Sequence, residues 1–307
     1  MKDKLKNLKI GVLMGGNSAE REISLKTGTA VLNSLLKTGY NAKGLDFDGE
    51  FFSNVKKIDL CFIALHGTFG EDGRIQAALE VAGVPYTGSG VSASAIGMDK
   101  IISKVLFTHH NLKVPPFISF KAGESEASLK SKTKDFSPPY FVKPNAQGSS
   151  IGASIVYSAG KELAAALNNA LNYDDEVLIE KYIKGREIQF AVMWGKPLGC
   201  VEVMPGDAFY SYEAKYTKGK TKYELEPSLT AREYKACELS SVTAHNVIRC
   251  KGVTRTDLIL DENGSVYVLE INTLPGLTEL SIVPMIAQKR GISFDSLMEN
   301  ILEDAII

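Results

Sequence analysis

The 307-residue sequence predicts an α/β protein built from more than one domain. Near its start, a short β-rich run at residues 9–14 leads through Gly15-Gly16 into a polar stretch typical of a helix start. Residues 58–65 form a near-continuous apolar run, as expected of a buried parallel strand. Pro115-Pro116 then ends a helical stretch and precedes shorter strands, which indicates a linker into a second domain.

The loops that follow the first strands carry polar groups suited to a small ligand. Ser18 is predicted to cap a helix, and the acidic residues after it suit the helix dipole. Glu20, beyond the carboxyl end of a strand, suits a substrate ammonium better than a pyrophosphate, although a surface Glu complementing the dipole is equally compatible. His66 lies in a glycine-rich loop where α/β sheets bind ligands, and simple loop packing is its alternative. Residues 74–81 and 92–110 are predicted to be helical.

Composition and charge narrow the functional class. The formal net charge of −1 gives no support for capture of nucleic acid or an anionic membrane. No apolar run approaches the roughly 20 residues that span a bilayer, and the N-terminus lacks the pattern of a signal peptide, so we expect a cytoplasmic location. The four cysteines and four histidines are scattered without metal-ligand spacing, so zinc chemistry is not expected.

The region after Pro115-Pro116 is predicted to be a small sheet that carries a phosphate-binding loop. Strands are predicted at 116–120, 140–143, 153–157 and 177–183, with helices at 124–134 and 161–171. Lys143 stands at the base of a hairpin loop that contains Gly148-Ser149-Ser150. The N–H groups and hydroxyls of such a loop can fold over phosphates, although the Walker pattern is absent and a merely flexible hairpin is the alternative.

Residues 205–227 form the least regular segment, with four tyrosines and four lysines interleaved. A long connection inside a compact domain is usually a functional lid or a disordered insert. The same pattern is compatible with binding of single-stranded nucleic acid, but the near-neutral chain makes that interpretation weaker. A strand at 188–193 precedes this segment, and a helix over 229–250 is predicted to follow it.

A hairpin around Asn263-Gly264 brings carboxylates together. If these two residues form the turn, facing positions sum to 527, so Asp257 faces Glu270 across the ladder. Asn272 and Arg255 lie two residues further along their strands and share that face. Like charges directly opposite each other are unfavourable unless a hard cation with oxygen ligands lies between them, so the pattern predicts a Mg²⁺ site. The alternative is a solvent-exposed hairpin with polar outer residues.

These features together resemble the ATP-grasp enzymes, and further motifs narrow the resemblance to the D-alanine–D-alanine ligase family. The motifs are GGNSAERE at 15–22, ALHG at 64–67, YTGSG at 86–90, MDK at 98–100, YEAKY at 212–216 and EINTLPG at 270–276. The resemblance runs from about residue 9 to the C-terminus. It implies a Rossmann-like N-terminal domain at 1–95 and two ATP-grasp domains at 96–184 and 185–307, which clamp ATP between them. It also implies a homodimer and two Mg²⁺ ions, replaceable by Mn²⁺.

The activity implied by this resemblance is ligation of two D-alanines through an acyl phosphate, for peptidoglycan precursor synthesis. The first carboxylate attacks the γ-phosphate of ATP, the amine of the second D-alanine attacks the acyl phosphate, and a lid at 205–227 excludes water.

Roles follow by motif. The metal ligands implied are Asp257, Glu270 and Asn272. The ATP-binding residues implied are Lys100, Lys143, Ser149, Glu180, Lys181, Ile183, Glu187 and Lys215. The substrate-binding residues implied are Glu20, His66, Arg255, Gly276, Ser281 and Ile282. The catalytic set implied is Glu20, Ser149, Tyr216, Arg255 and Gly276.

Two rival functions remain to be weighed against this one. A D-alanyl–D-lactate ligase is disfavoured by Tyr216, because that branch of the family typically carries Phe at the matching position. A non-catalytic nucleotide-binding protein is disfavoured by the opposed carboxylates Asp257 and Glu270, which such a protein does not need. Two departures from the family pattern bear on detail: Asn145-Ala146-Gln147 lacks a charged residue before the Gly-Ser-Ser loop, and Glu279 stands near the predicted site of the second substrate.

Overall fold

A computed structural model of the protein describes residues 2–48, 51–134, 136–206 and 220–306. The N-terminal part is built on a parallel three-stranded sheet of order β2-β1-β3. Its elements, with the two helices that follow, are α1 (Lys2–Lys6), β1 (Ile10–Met14), α2 (Arg21–Lys37), β2 (Ala42–Asp46), α3 (Phe51–Asn54), β3 (Leu60–Ile63), α4 (Arg74–Ala82), α5 (Val91–Met98) and α6 (Lys100–His109). The predicted parallel strands β1 and β3 are present and fully buried.

Two predicted helix boundaries in this part are wrong. Ser18 does not cap α2, because the helix begins at Arg21 with Glu20 in the N-cap position. The Ser18 hydroxyl instead accepts a hydrogen bond from the Glu20 N–H at 3.2 Å and donates one to the His66 carbonyl at 2.7 Å. The helix predicted over 92–110 is two helices, because Asp99 adopts an extended conformation and caps α6 through the Ile102 N–H at 2.9 Å.

The middle of the chain forms an antiparallel four-stranded sheet of order β4-β7-β5-β6. Its elements are β4 (Phe117–Lys121), α7 (Glu126–Thr133), β5 (Tyr140–Pro144), β6 (Ser154–Val156), α8 (Lys161–Leu171) and β7 (Glu176–Lys181). The sequence analysis predicts each of these elements at nearly the same residues. The sheet and α8 enclose a hydrophobic core of their own, separate from the cores of the other two sheets.

The C-terminal part forms an antiparallel five-stranded sheet of order β10-β9-β8-β11-β12. Its elements are β8 (Gly185–Met193), β9 (Lys196–Pro205), β10 (Thr221–Glu224), α9 (Ala231–Val247), β11 (Val253–Asp261), β12 (Val266–Asn272), α10 (Ile282–Lys289) and α11 (Phe294–Asp304). The segment predicted to be irregular therefore contains strand β10, which pairs with β9. Residues 207–219 of that segment, including Lys215 and Tyr216, lie outside the described residues.

The β11–β12 hairpin pairs Asp257 with Glu270 as predicted, but its turn differs from the predicted one. Asp261 pairs with Ser265 around a three-residue loop, and Asp261 Oδ1 accepts hydrogen bonds from the N–H groups of Asn263 and Ser265. Near the turn, Leu258 faces Val268, one position away from the predicted register, and an irregularity beyond Leu258 then restores it. Asp257 consequently faces Glu270 as predicted, because a β-bulge compensates for the odd-numbered loop.

Two hydrophobic cores join the N-terminal part of the chain to the five-stranded sheet. Residues of β1 and β3 pack with β8, β9, α10 and α11 in one cluster. Helices α5 and α6 contribute Ala93 and Phe107 to a second cluster with β8, β11 and β12. The N-terminal and five-stranded sheets are thus joined by packing, while the four-stranded sheet stands against them with its own core. No helix among the described residues is long and apolar enough to cross a membrane.

Candidate active site

Two adjoining clefts lie where the three sheets meet. The first cleft, of about 400 Å³, runs between the four-stranded and five-stranded sheets. The second cleft, of about 430 Å³, runs from the ends of β11 and β12 to the N-terminal loops. Lys100, Gln147 and Glu270 line both, so these three residues mark the boundary between them.

Every predicted site residue in the described part of the chain lines one of these clefts. The first cleft is lined by Lys100, Lys143, Glu180, Lys181, Ile183, Glu187, Asp257 and Glu270. The second is lined by Glu20, His66, Lys100, Ser149, Arg255, Glu270, Asn272, Gly276, Ser281 and Ile282. Residues spread over 263 positions of sequence are therefore gathered into two connected spaces.

Lys100 is held at the boundary between the clefts by main-chain groups. As the first residue of α6 it is only 6% exposed, and its ammonium donates to the Gln147 carbonyl at 2.7 Å. Glu270 Oε2 lies 3.6 Å from the same ammonium. A lysine fixed in this way offers a positive charge to a phosphate that reaches the boundary.

A buried cluster of three charges lies at the wall of the first cleft. The Glu180 carboxylate is 2% exposed and pairs with Lys104 at 2.6 Å and with Lys143 at 3.0 Å. Burial alone would raise the pKa of Glu180, but the two lysines outweigh it and lower that pKa. Burial also opposes the charge on Lys143, but Glu180 and Glu270 outweigh it and raise the pKa of Lys143. Both groups are therefore ionised at neutral pH, with an excess of one positive charge among the three.

The far end of the first cleft is formed by the short connection between β7 and β8. Lys181 and Ile183 both border the cleft here, and the Lys181 ammonium donates a hydrogen bond to the Ser137 carbonyl at 2.8 Å. Glu187 accepts a hydrogen bond from the fully buried Gln189 amide at 3.1 Å. This end of the cleft could therefore accommodate a flat ring beside Lys181 and Ile183, and hydroxyl groups beside the Glu187 carboxylate.

The facing carboxylates of the β11–β12 hairpin lie between the two clefts. Asp257, 4% exposed, accepts both hydrogen bonds of a fork from Arg255, at 2.6 and 2.9 Å. Asn272 Oδ1 accepts from the Leu274 N–H at 2.8 Å. Two carboxylates and an amide on one sheet face form the oxygen-only donor set that Mg²⁺ prefers, so the residues present fit such an ion.

Glu20 is the centre of the second cleft. It is 7% exposed, and its Oε1 accepts a hydrogen bond from the Ser149 hydroxyl, which joins the glycine-serine loop to the N-terminal part. Its Oε2 lies so close to Gly67 and Gly148 that a Cβ at either position would approach it to 2.7 and 3.0 Å respectively. Small residues therefore leave the approach to this carboxylate open, which suits an incoming ammonium group.

His66 and the start of α10 complete the second cleft. The buried imidazole bonds Thr27 Oγ1 through Nε2 at 2.9 Å and lies 3.3 Å from Glu71 Oε1 through Nδ1. On the opposite side, Ser281 precedes α10 without capping it, and its hydroxyl bonds the Thr278 hydroxyl at 2.8 Å and the Thr278 N–H at 3.0 Å.

Sequence reasoning missed several residues that the structure brings to the site. Lys104 stands four residues after Lys100, so helical spacing could have indicated that it shares a helix face with Lys100, which was predicted to bind ATP. Asn145, noted only as a departure from the family pattern, caps α6 by accepting from the Ile101 N–H at 2.9 Å. Gln189 could have been found from its position two residues after Glu187 on one strand.

Two family models match the chain. The family described as "D-ala D-ala ligase C-terminus" matches residues 106–303, and "D-ala D-ala ligase N-terminus" matches residues 42–89. A D-alanine–D-alanine ligase of Geotalea uraniireducens is 45% identical over 99% of this chain and 98% of its own length. That of Geobacter sulfurreducens is 45% identical over 99% and 96%.

Solved structures match over the same extent. A D-alanine–D-alanine ligase from Bacillus anthracis in complex with ATP superposes with a TM-score of 0.86 at 34% identity, covering 97% of this chain and 96% of that one. The VanG D-Ala:D-Ser ligase from Enterococcus faecalis has a TM-score of 0.86 at 29% identity, with 97% and 99% covered. These matches confirm the predicted α/β fold class with its ATP-grasp part.

Proposed function

The chain belongs to the D-alanine–D-alanine ligase family, and from that premise we propose how its residues join two D-alanines at the expense of ATP. The reaction is the ATP-dependent ligation of D-alanine to D-alanine, a step of cell-wall precursor synthesis. The observation that carries the assignment of residues is the pair of connected clefts, one lined by lysines and one centred on Glu20, which meet at Lys100 and Glu270.

ATP is placed in the first cleft. The adenine lies beside the main chain of Lys181 and Ile183, and the ribose hydroxyls bond Glu187. Lys143 and Lys100 then follow in order toward the boundary, where they meet the phosphates. This order brings the γ-phosphate to the side that faces Glu20, and both lysines stabilise charge on the phosphoryl oxygens.

Asp257, Glu270 and Asn272 would hold Mg²⁺ at the boundary. The ion would neutralise charge on the phosphates of ATP, which is the chemistry that a hard divalent cation supplies in phosphoryl transfer. In this structure Asp257 pairs with Arg255 and Glu270 lies beside Lys100, so these two contacts would compete with binding of the ion. Arg255 already lines the second cleft, so a rotation of its side chain away from Asp257 would bring its guanidinium closer to the substrates there.

The first D-alanine binds with its ammonium on Glu20 and its carboxylate toward the boundary. That carboxylate attacks the γ-phosphorus, and ADP leaves with the electron pair of the broken phosphoanhydride bond. The neutral amine of the second D-alanine, held by its carboxylate at Ser281 and Ile282, then attacks the acyl carbon. Arg255 and the Gly276 N–H stabilise the resulting oxyanion, the attacking nitrogen loses one proton to solvent, and the C–O bond breaks to release phosphate.

The glycine-serine loop and residues 205–227 shield the acyl phosphate, which water hydrolyses readily. Ser149 already reaches Glu20 from that loop, and Ser149 and Ser150 both have positive φ, at 54° and 57°. Two adjacent serines in this unfavourable region indicate a loop shaped by its function. The resemblance to the family assigns Lys215 to the phosphates and Tyr216 to the network of Glu20 and Ser149, and both residues lie outside the described residues.

We also propose a cytoplasmic location, a homodimer, and a division into domains near residues 95 and 184.

The proposed activity is tested by following phosphate release and dipeptide formation from ATP. Both are expected to require D-alanine and Mg²⁺ together, with Mn²⁺ as a substitute, and L-alanine is expected to give neither. Equal turnover with D-lactate as the second substrate at neutral pH would move the assignment to an ester-forming ligase.

A further inference from the structure

Lys104 is a fully buried lysine that borders neither cleft. It lies one helical turn after Lys100 on α6, has 0% of its surface exposed, and packs behind the wall of the first cleft. A lysine in a hydrophobic core is unfavourable unless its charge is paired, and a leucine or methionine fills such a space without that cost. Its presence therefore calls for an explanation beyond packing.

The Lys104 ammonium connects the two walls of the nucleotide cleft. It lies 2.6 Å from Glu180 Oε1 on β7 of the four-stranded sheet, and it donates to the Val268 carbonyl at 3.3 Å on β12 of the five-stranded sheet. Glu180 Oε2 is 3.0 Å from Lys143, and Val268 is two residues before Glu270. One buried ammonium thus contacts the ion-pair partner of Lys143 on one wall and, on the other, a strand residue two positions before the proposed metal ligand Glu270.

We propose that Lys104 is a positioning residue for the nucleotide, which holds Glu180 and, through it, Lys143 in place opposite the carboxylates of β12. The proposal rests on the assignment of ATP to the first cleft. Lys104 shares the Glu180 carboxylate with Lys143, so Glu180 does not draw the Lys143 ammonium fully to itself. Without Lys104, the buried carboxylate keeps a single partner, and Lys143 is pulled away from the phosphates.

The electrostatics of the cluster agree with this role. Burial, together with the neighbouring Lys143, lowers the pKa of Lys104 to about 8, and Glu180 and Glu270 limit this decrease. The ammonium is therefore charged at neutral pH only because these carboxylates face it.

The test compares Lys104→Met with a matched control, Lys113→Met. Methionine has nearly the length of lysine and removes only the charge and the hydrogen bond. Lys113 also reaches the β12 hairpin, donating to Ser265 Oγ at 3.0 Å, but it is outside both clefts. For Lys104→Met we expect the Kd of the magnesium complex of a non-hydrolysable ATP analogue, and the KM for ATP, to rise at least tenfold. The KM for D-alanine should change less than twofold, and the control should match the wild type in all three quantities.

Two results would overturn the proposal. One is a folded Lys104→Met protein with wild-type affinity for the analogue. The other is an equal rise in both KM values, which indicates a general structural loss. A wild-type protein that fails to bind the analogue or to form dipeptide would instead reject the proposed function, so the two failures are distinguishable.

A double variant keeps the test valid if Lys104→Met does not fold. In Lys104→Met/Glu180→Gln the carboxylate that loses Lys104 is neutralised as well, and Lys143 keeps a hydrogen-bond acceptor in the glutamine oxygen and Glu270 as its nearby carboxylate. Once the Glu180 carboxylate is neutralised, Lys104 no longer has a charged partner to position. The double variant should therefore bind the analogue within about threefold of Glu180→Gln alone, as expected for coupled residues. A further tenfold loss in the double variant would contradict the proposed role.

Discussion

Replacing Glu20 by glutamine should weaken the use of D-alanine while leaving nucleotide binding unchanged. The amide oxygen can still accept the hydrogen bond from Ser149, so the loop contact survives and only the negative charge is lost. Glu20 is 7% exposed and is assigned to the substrate ammonium, so the change removes a charge-assisted hydrogen bond in a site shielded from water. Such bonds contribute about 1.5–3 kcal/mol, which corresponds to a loss of about 10- to 150-fold in kcat/KM.

The assay is steady-state dipeptide formation with D-alanine varied at saturating ATP, combined with direct binding of an ATP analogue. Glu22→Gln is the control, because Glu22 lies in the first turn of the same helix but is exposed and lines neither cleft. The affinity for the analogue should stay within twofold in both variants, since Glu20 borders only the second cleft. A Glu20→Gln protein with wild-type kcat/KM for D-alanine, or an equal loss in Glu22→Gln, would refute the assigned role.

Three further predictions concern the metal, the approach to Glu20 and the stability of the fold. Glu270→Gln should lower turnover more than about 100-fold with the fold retained, because it removes a carboxylate from the proposed Mg²⁺ site; wild-type turnover would exclude Glu270 as a ligand. Gly148→Ala places a Cβ 3.0 Å from Glu20 Oε2 and should raise the KM for D-alanine severalfold without changing that for ATP. Burial lowers the pKa of His245 to about 4, so between pH 6.5 and 4 the unfolded chain binds a proton that the folded chain does not. Stability is therefore lost as the pH falls through that window, by about 3 kcal/mol, and His245→Gln should lack this part of the slope in urea unfolding.

The sequence was sufficient wherever a local pattern determines structure. Apolar runs located the strands of all three sheets except β2, β9 and β10. β2, with the sequence AKGLD, offers little apolar pattern because all five of its residues are at least partly exposed. β10 lies in a segment whose tyrosines and lysines gave no alternation. Its pairing with β9 is a long-range contact that residue order does not reveal.

Spacing predicted the facing of Asp257 and Glu270 correctly, but the turn geometry behind that prediction was wrong. Asp261 organises a three-residue loop through its carboxylate, and a bulge further along the strand cancels the shift. Because the three-residue loop and the bulge compensate each other, counting residues from the predicted turn still pairs Asp257 with Glu270. The outcome was correct because the two strands must bury the same faces on either side of the bulge.

The charge cluster of Lys104, Glu180 and Lys143 illustrates what residue order cannot supply. Motif comparison indicated that Glu180 and Lys143 belong to the nucleotide site, but not that a third charge lies behind them. Lys104 comes from a helix that packs on one sheet while its ammonium meets a strand of another. Only the packing of the two sheets shows that the Lys104 ammonium is buried and contacts both of them. In the same way, local sequence predicts Ser18 as a helix cap, because it does not reveal that the partner of its hydroxyl is the His66 carbonyl, 48 residues away.

The most direct test of the account is transfer of ¹⁸O from the carboxylate of labelled D-alanine during turnover with ATP. If the first carboxylate attacks the γ-phosphate at the boundary between the clefts, one labelled oxygen leaves with phosphate for each dipeptide formed, and the other remains in the peptide carbonyl. We therefore expect phosphate that carries a single ¹⁸O atom, released in equal amount to dipeptide. Dipeptide formed with unlabelled phosphate, or phosphate released without dipeptide, would contradict the proposed acyl-phosphate mechanism.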